Sequence, residues 1–209
     1  RQDRGDLRDD RSLVHRAHAV WARPGEGVRV WATPSTPSGG PSGPPQLLYA
    51  GNVDSARVVI LYDGLRVVRY AEPKDGTKGA ALDFARVDGA DRAEASAVVL
   101  GRADGNVRYL TAPWITGAAE RDLLKPNAGA MDLGLTKGIT GPFASAAEQT
   151  GSCLSWNVLQ LTDGTGTRLM TDLGELVPAQ LTVGRPGATR NASAAQGLRA
   201  WAPYACSLA

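Results

Sequence analysis

Apolar and polar residues alternate most clearly over residues 56–70, ARVVILYDGLRVVRY, where two β-branched runs flank Asp63 and Gly64. An Asp-Gly pair between such runs is the strongest short-range signal for a β-hairpin, because both residues tolerate the positive φ of a two-residue turn. A turn centred on these two residues pairs Tyr62 with Leu65. The pattern therefore predicts an antiparallel hairpin with this register.

Both faces of this hairpin carry apolar side chains, since the β-branched runs are continuous rather than strictly alternating. Strands that are apolar on both faces are typical of positions inside a sheet that is covered on two sides. Arg57 and Arg66 interrupt the runs, and long cationic side chains can keep their charge in water while their stems cover apolar surface. We therefore expect a central hairpin with these arginines at its rim.

Further strands and one helix follow from the same analysis of periodicity and turn residues. A helix is predicted over residues 13–22, with Ser12 as its N-cap and one apolar stripe that packs on the body of the protein. That stripe comprises Leu13, Ala17, Val20 and Trp21. Strands are predicted over residues 28–33, 46–53, 79–89, 97–100, 107–113, 153–162, 168–173 and 177–183.

Hairpins at this density predict an all-β fold, an antiparallel β-sandwich or barrel with a short N-terminal helix. A small propeller-like repeat is the alternative, although the unequal spacing of the hairpins argues against a repeat. Residues 118–124 are predicted to form a short helix, residues 128–146 are too rich in glycine for regular structure, and residues 184–196 are predicted to be a loop.

The predicted domain organisation is simple. Residues 1–11, RQDRGDLRDDR, are charged and of mixed sign, which indicates a solvated leader or juxtamembrane linker. Residues 12–209 then form one extracytoplasmic β domain. Within it, residues 34–45 consist almost entirely of proline, glycine and serine, so they have little to bury and are expected to be a flexible loop.

Two cysteines, Cys153 and Cys206, occur in the sequence, and neither lies in a metal-binding spacing. A disulfide between them would fasten the C-terminal segment to the body, and two partly buried thiols are the alternative. Because disulfides persist in oxidising compartments, the bridge predicts an extracytoplasmic protein, at the cell surface or secreted.

Charge and composition restrict the class of partner. The net charge is only +2, and arginines are not interleaved with aromatic residues along a strand, so nucleic acid is not an expected partner. Arginine outnumbers lysine, and alanine, glycine, valine and proline are abundant, which is typical of proteins from GC-rich actinobacteria-like genomes. The sequence contains no apolar run long enough to span a membrane.

Catalytic and metal-binding patterns are sparse. The sequence has neither a GxSxG nor an SxxK motif, and both histidines, His15 and His18, fall on the predicted helix without a third ligand nearby. No cofactor and no metal are expected. Paired carboxylates are the one enzymatic option, as in glycoside hydrolases. The candidates are Asp132, Glu148, Asp172 and Glu175.

The glycine-rich segment after residue 113 is the strongest candidate for a binding site, because long irregular connections carry function more often than tight turns do. Trp114 opens this segment and Phe143 lies near its end, with Gly134 and Lys137 between them. An aromatic residue can supply much of the binding energy of an interface. Trp31, Trp156 and Trp201 are instead expected in the core.

The expected function is that of a non-catalytic extracytoplasmic sensor or binding domain. It would belong to a membrane-anchored bacterial regulator or envelope protein, with the anchor upstream of Arg1. Its partner would be another envelope or membrane protein, or a small cell-surface ligand. A cell-envelope carbohydrate hydrolase and a structural subunit of a secreted assembly are the alternatives. An exposed apolar patch would mark the structural subunit.

Overall fold

The computed structural model describes residues 3–76, 79–91, 93–185, 188–193 and 195–208. The chain divides into two compact units, Arg1–Ala90 and Asp91–Ala209. The prediction of one β domain over residues 12–209 has no such internal boundary. It stays a prediction, because compactness alone does not tell whether a unit folds independently.

The first unit is a five-stranded sheet with one helix packed on it. Its strands follow the order β1-β5-β4-β3-β2, with β1 parallel to β5 and all other neighbours antiparallel. The predicted central hairpin, β3–β4, lies in the middle of this order, as expected. The elements are α1 (Arg11–Ala22), β1 (Arg29–Ala32), β2 (Gln46–Val53), β3 (Ala56–Tyr62), β4 (Arg66–Pro73) and β5 (Ala81–Arg86).

Helix α1 begins two residues earlier than the sequence predicts. Its N-cap is Asp10, whose Oδ1 accepts a hydrogen bond from the Leu13 N–H at 3.0 Å, so Ser12 is not the cap. Asp and Ser are both good N-cap residues, and capping by Asp10 lets the helix begin two residues before the start that Ser12 would set. Leu13, Ala17 and Trp21 are fully buried against the sheet, which confirms the predicted apolar stripe, with Val20 only half-buried at its margin.

The register of the β3–β4 hairpin differs from the predicted one. Tyr62 pairs with Val67, not with Leu65, so the central turn residues are Gly64 and Leu65. The reason lies in the Asp63 side chain, whose Oδ1 accepts the N–H groups of Leu65 and Arg66 at 3.0 and 2.8 Å. This local capping makes Asp63 the residue before the turn instead of a residue within it.

Gly64 has a φ of +91°, and no other heavy atom would contact a Cβ added there. Replacing Gly64 by Ala should therefore destabilise the protein by about 1 kcal/mol, through backbone strain alone. Gly25→Ala is the matched control, because that site is equally open and lacks a positive φ. Urea unfolding of both variants measures the difference, and equal stability of the two would contradict the assigned turn.

The sequence predicts a solvated leader or juxtamembrane linker over residues 1–11, and this role stays a prediction, although the backbone of residues 4–7 is bound to β2. Arg4 forms a parallel bridge to Tyr49, and its backbone exchanges hydrogen bonds with Leu48 and Ala50 at 3.0 and 2.9 Å. The Leu7 N–H also donates to the Ala50 carbonyl. The free backbone groups at the edge of β2 explain this arrangement, because a charged segment can satisfy them without apolar side chains.

The sequence led us to expect Arg66 at the rim of the sheet. Arg66 is instead buried and only 2% exposed. Its Nη2 forms an ion pair with Asp63 Oδ2 at 2.8 Å. Its guanidinium also lies 5.6 Å from the ring centre of Trp21 and 5.3 Å from that of Phe84. Burial acts to raise the pKa of Asp63, but hydrogen bonds from Ser42, Arg66 and Leu65 outweigh it and lower that pKa.

The same guanidinium binds the Pro/Gly/Ser loop of residues 34–45. Nη1 donates to the carbonyls of Pro37 and Gly39 at 2.6 and 2.9 Å, and Nη2 donates to the carbonyl of Gly40 at 2.8 Å. Trp21 Nε1 also donates to Gly39, at 3.1 Å. The predicted flexibility of this loop stays a prediction, and these contacts oppose it. We call Arg66, Asp63, Trp21 and the three loop carbonyls the Arg66 cluster.

The second unit contains two further sheets. One has the order β10-β11-β7-β12 with β6 also paired to β7, and the other has the order β16-β15-β14-β13-β8-β9. The strands of the first are β6 (Ala97–Ala103), β7 (Asn106–Thr111), β10 (Leu135–Thr136), β11 (Ile139–Thr140) and β12 (Phe143–Ala144). Those of the second are β8 (Gly117–Asp122), β9 (Met131–Asp132), β13 (Asn157–Asp163), β14 (Gly166–Thr171), β15 (Ala179–Arg185) and β16 (Ala188–Asn191).

The all-β prediction is confirmed. The two predicted hairpins of this unit are present as β6–β7 and β13–β14, and all strand pairs of the second unit are antiparallel. None of the sheets formed by the described residues closes into a barrel, so the open sheets fit the sandwich-like alternative. The sheets also do not repeat one strand order, as propeller blades would.

Three local predictions in this unit were wrong. Residues 118–122 belong to β8 and residues 123–124 form a turn, so no helix is present there. Six residues of β8 pair with β13, and this outweighs the helix propensity of Ala-Ala-Glu-Arg. Residues 128–146 contain four two-residue strands despite their glycines. Residues 188–191, expected in a loop, form β16 against β15.

The C-terminal segment is joined to the second unit by the predicted disulfide. Cys153 and Cys206 are bonded, with their Cα atoms 5.9 Å apart. The segment forms α2 (Ala195–Trp201) and a 3-10 helix (Ala202–Ser207), from which Leu198 and Ala205 enter the same core as the fully buried Trp156. The bridge indicates an oxidising, extracytoplasmic environment.

The tryptophans follow the core prediction only in part. Trp156 is 1% exposed, as expected, whereas Trp201 and Trp114 are half-buried. Trp31 is 46% exposed, so its assignment to the core was wrong. Its strand, β1, is the outermost of its sheet, where one side of the strand has no neighbouring side chains to cover an indole.

Candidate functional site

The predicted binding segment contains a tight hairpin formed by β10 and β11. Leu135 pairs with Thr140 and Thr136 with Ile139, which leaves Lys137 and Gly138 as the two turn residues. Both have positive φ, 52° and 81°, as a type I′ turn requires. No sequence pattern indicates this turn, because lysine is not a usual residue at its first position. Lys137 is consequently exposed at the tip of a rigid turn.

This hairpin is attached to the C-terminal end of β7. Ile139 pairs with Leu110, and the next residue, Thr111, donates hydrogen bonds to the Gly138 carbonyl from its N–H at 2.8 Å and from its Oγ1 at 2.7 Å. Thr111 is fully buried, so both donors satisfy one carbonyl in a dry environment. The position of Lys137 is therefore set by the core strand β7.

Trp114 follows the same end of β7. The chain turns at residues 112–115, where the Ile115 N–H donates to the Ala112 carbonyl at 3.0 Å, and Ile115 is buried. Pro113 is exposed and Trp114 is half-buried, so part of the indole faces solvent. We define the β7-end surface as Pro113, Trp114, Thr116, Lys137 and Gly138. It combines an aromatic ring and an ammonium group on two segments that meet at Thr111.

The other two predicted binding residues lie elsewhere. Phe143 pairs with Val107, at the opposite end of β7, and it is only 6% exposed with its ring centre 6.0 Å from that of Tyr109. Phe143 is therefore a core residue in position and does not face a partner. Gly134 is exposed just before β10, and its N–H donates to Asp132 Oδ1 at 2.9 Å. Of the four residues, Trp114 and Lys137 lie on segments at the C-terminal end of β7.

A buried polar cluster lies at the end of β14. Asp172, 4% exposed, accepts two hydrogen bonds from Arg102, with Nε to Oδ2 at 3.0 Å and Nη2 to Oδ1 at 2.6 Å. Ser145 Oγ donates to the same carboxylate at 2.7 Å, and so does the Gly174 N–H at 2.9 Å. Arg102 also donates to the Glu175 carbonyl. Four donors therefore satisfy a single buried carboxylate.

The pKa of Asp172 is lowered from its ordinary value. Burial acts to raise it, but the ion pair with Arg102 and the hydrogen bonds from Ser145 and Gly174 outweigh burial. Tyr109 is nearby, and burial together with the Asp172 charge raises the pKa of its hydroxyl, which stays neutral. The cluster is a fixed ion pair and does not exchange protons near neutral pH.

Asp172 should stabilise the fold at neutral pH and lose this effect in acid. Because its pKa in the folded protein is below the unfolded value of about 3.9, the stabilisation is complete above that value. It then disappears as the pH falls through the folded-state pKa. Urea unfolding between pH 7 and pH 2 tests this. The difference in stability between the wild type and Asp172→Asn should be largest at pH 7 and shrink steadily below pH 4, and a constant difference would contradict it.

The other three carboxylates of the hydrolase alternative lie on different structural elements. Asp132 lies in β9 and is exposed, Glu148 is exposed in a 3-10 helix (Ala146–Glu148), and Glu175 is half-buried after β14. A glycosidase acid needs a raised pKa, which Asp172 does not have. Among the described residues, no group of three or more potential metal ligands is present.

The sequence indicated Asp172 as a candidate carboxylate but did not predict its cluster with Arg102 and Ser145. The three residues lie on β6, before a 3-10 helix and after β14, and no local motif links positions so far apart. The one available signal was that Ser145 and Asp172 have apolar neighbours in the sequence, which indicates low exposure. Such neighbours are common for polar residues in strands, so the signal is weak. The exposure of Trp31 and the burial of Arg66 were not predicted for the same reason, because both depend on the order of the strands in the sheet.

No family model, curated protein or solved structure matches this chain. Within the described ranges, neither α1 nor α2 combines the length and the apolar character needed to cross a bilayer. The function must therefore be argued from the arrangement of the side chains.

Proposed function

We propose that this chain is a non-catalytic extracytoplasmic binding domain, which recognises a protein or a small ligand at the surface of a bacterial cell. It would serve as the sensor or partner-binding part of a membrane-anchored regulator or envelope protein. The disulfide between Cys153 and Cys206 supports the compartment. The observation that supports the binding function is the β7-end surface, where Trp114 and Lys137 lie on two segments at the C-terminal end of β7.

The β7-end surface has the properties of a prepared interface. The Lys137–Gly138 turn and the residues 112–115 turn are both held by backbone hydrogen bonds, so little conformational entropy remains to be lost on binding. A half-buried tryptophan and an exposed lysine at one end of a strand can contact an apolar group and a carboxylate of the same partner. Tryptophan is among the residues that contribute most to binding interfaces. An acidic segment with an adjacent apolar side chain fits this pair.

The carboxylate hydrolase is less well supported by the same structure. Its most buried candidate, Asp172, is held by four donors and has a lowered pKa. A carboxylate in this state serves neither as a general acid nor as a free nucleophile, since its lone pairs are occupied. This cluster instead fixes β6 to the segment after β14, which is a structural role.

Site-specific photo-crosslinking tests the proposed binding function. A photoreactive residue replaces Lys137, and the matched control carries it at Asp104, an exposed residue in the turn before β7 and thus at the opposite end of the same strand. Both residues have positive φ, 52° and 54°, so the two substitutions strain the backbone equally. Each protein is irradiated with the intact envelope fraction of the native host.

The expected result is one discrete adduct at position 137 that is absent at position 104. Adding Trp114→Ala to the position 137 protein should abolish that adduct, because it removes the aromatic contact and leaves the Lys137 turn in place. Equal adducts at both positions, or an adduct that survives Trp114→Ala, would show that the β7-end surface is not the binding site.

A further inference from the structure

The two edges of the first unit's sheet are treated differently. At the β2 edge, Arg4 and Leu7 bind the backbone of residues 48 and 50 and cover the strand. At the other edge, β1 has a neighbour on one side only, and no strand formed by the described residues pairs with its outer side. Open edges are potential pairing sites for another strand. The sheet therefore has a single open edge, β1.

The hydrogen-bonding pattern of β1 shows which groups face outward. In the parallel ladder, Arg29 and Thr33 donate their N–H groups to the carbonyls of Ala80 and Phe84 on β5, at 3.0 and 3.1 Å. Residues 29, 31 and 33 therefore direct their backbone groups toward β5. The intervening residues, Val30 and Ala32, direct their N–H and C=O groups away from β5, toward the open edge.

The side chains at this edge are apolar and exposed. Val30 is 42% exposed and Trp31 is 46% exposed, on opposite faces of the strand. Protected edges usually carry lysine or an inward-pointing charge at such positions. The only charged residue of β1 is Arg29, at its beginning.

We propose that β1 pairs with β1 of a second copy of this chain, antiparallel and around a two-fold axis. The outward groups of Val30 then bond with those of Ala32 of the partner subunit, and the reverse pair forms by symmetry. Trp31 lies opposite Trp31 of the partner subunit on the same face. The two sheets become one continuous sheet across the interface.

The register favours a second copy as the occupant of this edge. Directly opposite residues in a pair that is not hydrogen-bonded have Cβ atoms about 4.5–5.5 Å apart, and aromatic pairs there stabilise sheets. Trp31 meets an aromatic partner by symmetry alone. Arg29 faces Thr33 of the partner subunit, so the single charge of the strand never opposes its own copy. The edge is thus complementary to itself in charge and in side-chain type.

The geometry also limits the assembly to a dimer. Pro34 follows Thr33 and has no N–H to extend the ladder. The β2 edge is already occupied by residues 4–7, so a third copy finds no second open edge on this sheet. An isologous pair closes on itself. Because only four residues of each strand take part, the dimer should be weak and its population should rise with concentration.

Sedimentation velocity of the full chain over a wide concentration range tests this inference, with two charge variants. Trp31→Lys and Trp31→Glu each place like charges directly opposite one another in the dimer, and each should be monomeric at all concentrations. An equimolar mixture of the two should restore a dimer containing one copy of each. Met131→Lys, at another exposed apolar residue, is the matched control and should dimerise like the wild type.

Circular dichroism first verifies that each variant is folded. A wild type that stays monomeric at the highest soluble concentration would overturn the inference. So would a dimer that survives Trp31→Lys, because its interface must then lie elsewhere. A mixture of folded Lys and Glu variants that stays monomeric would overturn the register in which Trp31 faces itself. The result does not depend on the β7-end surface.

Discussion

Replacing Arg66 by Met should lower the free energy of unfolding by about 3–5 kcal/mol, as measured by urea denaturation. The substitution removes the charge and leaves the Asp63 carboxylate buried without its cation. It also leaves the carbonyls of Pro37, Gly39 and Gly40 without their guanidinium donors. Methionine retains much of the contact with Trp21 and Phe84, so lost packing contributes little to the expected effect.

Arg86→Met is the matched control for this experiment. Arg86 also forms an ion pair with an aspartate, Asp88, at 2.7 Å, but its side chain is 53% exposed. An exposed ion pair contributes little to stability, so the control should be close to the wild type. The double variant Asp63→Asn with Arg66→Met should be less destabilised than the sum of the two single variants, because both act on one ion pair. Additive effects would show that the Arg66 cluster does not act as a unit.

Replacing Cys206 by Ser should destabilise the protein by about 4 kcal/mol and lower its Tm by roughly 10 °C. The disulfide closes a loop of 53 residues, and opening it raises the chain entropy of the unfolded state. Leu198 and Ala205 still bury their side chains in the core, so the C-terminal segment should remain docked near room temperature. Differential scanning calorimetry measures the shift.

Reducing agent provides the control for the disulfide. It should lower the Tm of the wild type toward that of Cys206→Ser and should leave the variant unchanged. Intact mass under non-reducing conditions should show that the wild-type protein contains no free thiol. A wild type and a variant with the same Tm would mean that the bridge adds no constraint beyond the packing of α2.

The hairpins were predictable because their signals are local. Asp104-Gly105 and the glycines after Asp163 lie between apolar runs, and β6–β7 and β13–β14 form there as expected. The β3–β4 hairpin shows where such reasoning ends. Its turn was found to within one residue, but the Asp63 side chain, not the Asp-Gly pattern alone, chose the register. Side-chain capping competes with backbone preference on the scale of single residues.

Features that depend on strand order were not predictable. Residues 118–124 have helix propensity, yet pairing with β13 makes residues 118–122 a strand. In an isolated hairpin Arg66 would lie at the rim. It is buried because residues 37–40 return over the sheet and their carbonyls bind its guanidinium. Trp31 is apolar enough for a core, but β1 lies at an edge. Each outcome needs contacts between residues distant in sequence.

The sequence indicated a candidate segment, and its role in binding stays a prediction. The segment after residue 113 was singled out for its glycines and for Trp114, and the structure places Trp114 and Lys137 at one end of β7. The inclusion of Phe143 was wrong as to position, because its pairing with Val107 directs it into the core beside Tyr109. The two ends of β7 are one strand length apart, and the sequence alone does not show at which of them a later residue packs.

The way in which Arg66 holds residues 34–45 has a consequence for how this loop tolerates change. Within the loop, the guanidinium binds main-chain oxygens, and every amino acid supplies those. Side chains that face solvent in the loop can therefore be exchanged widely while the anchor persists. An insertion or deletion is different, since it displaces the carbonyls of residues 37, 39 and 40 from a fixed fork of donors. This loop should therefore tolerate most substitutions, whereas insertions and deletions in it should disrupt the contacts with Arg66.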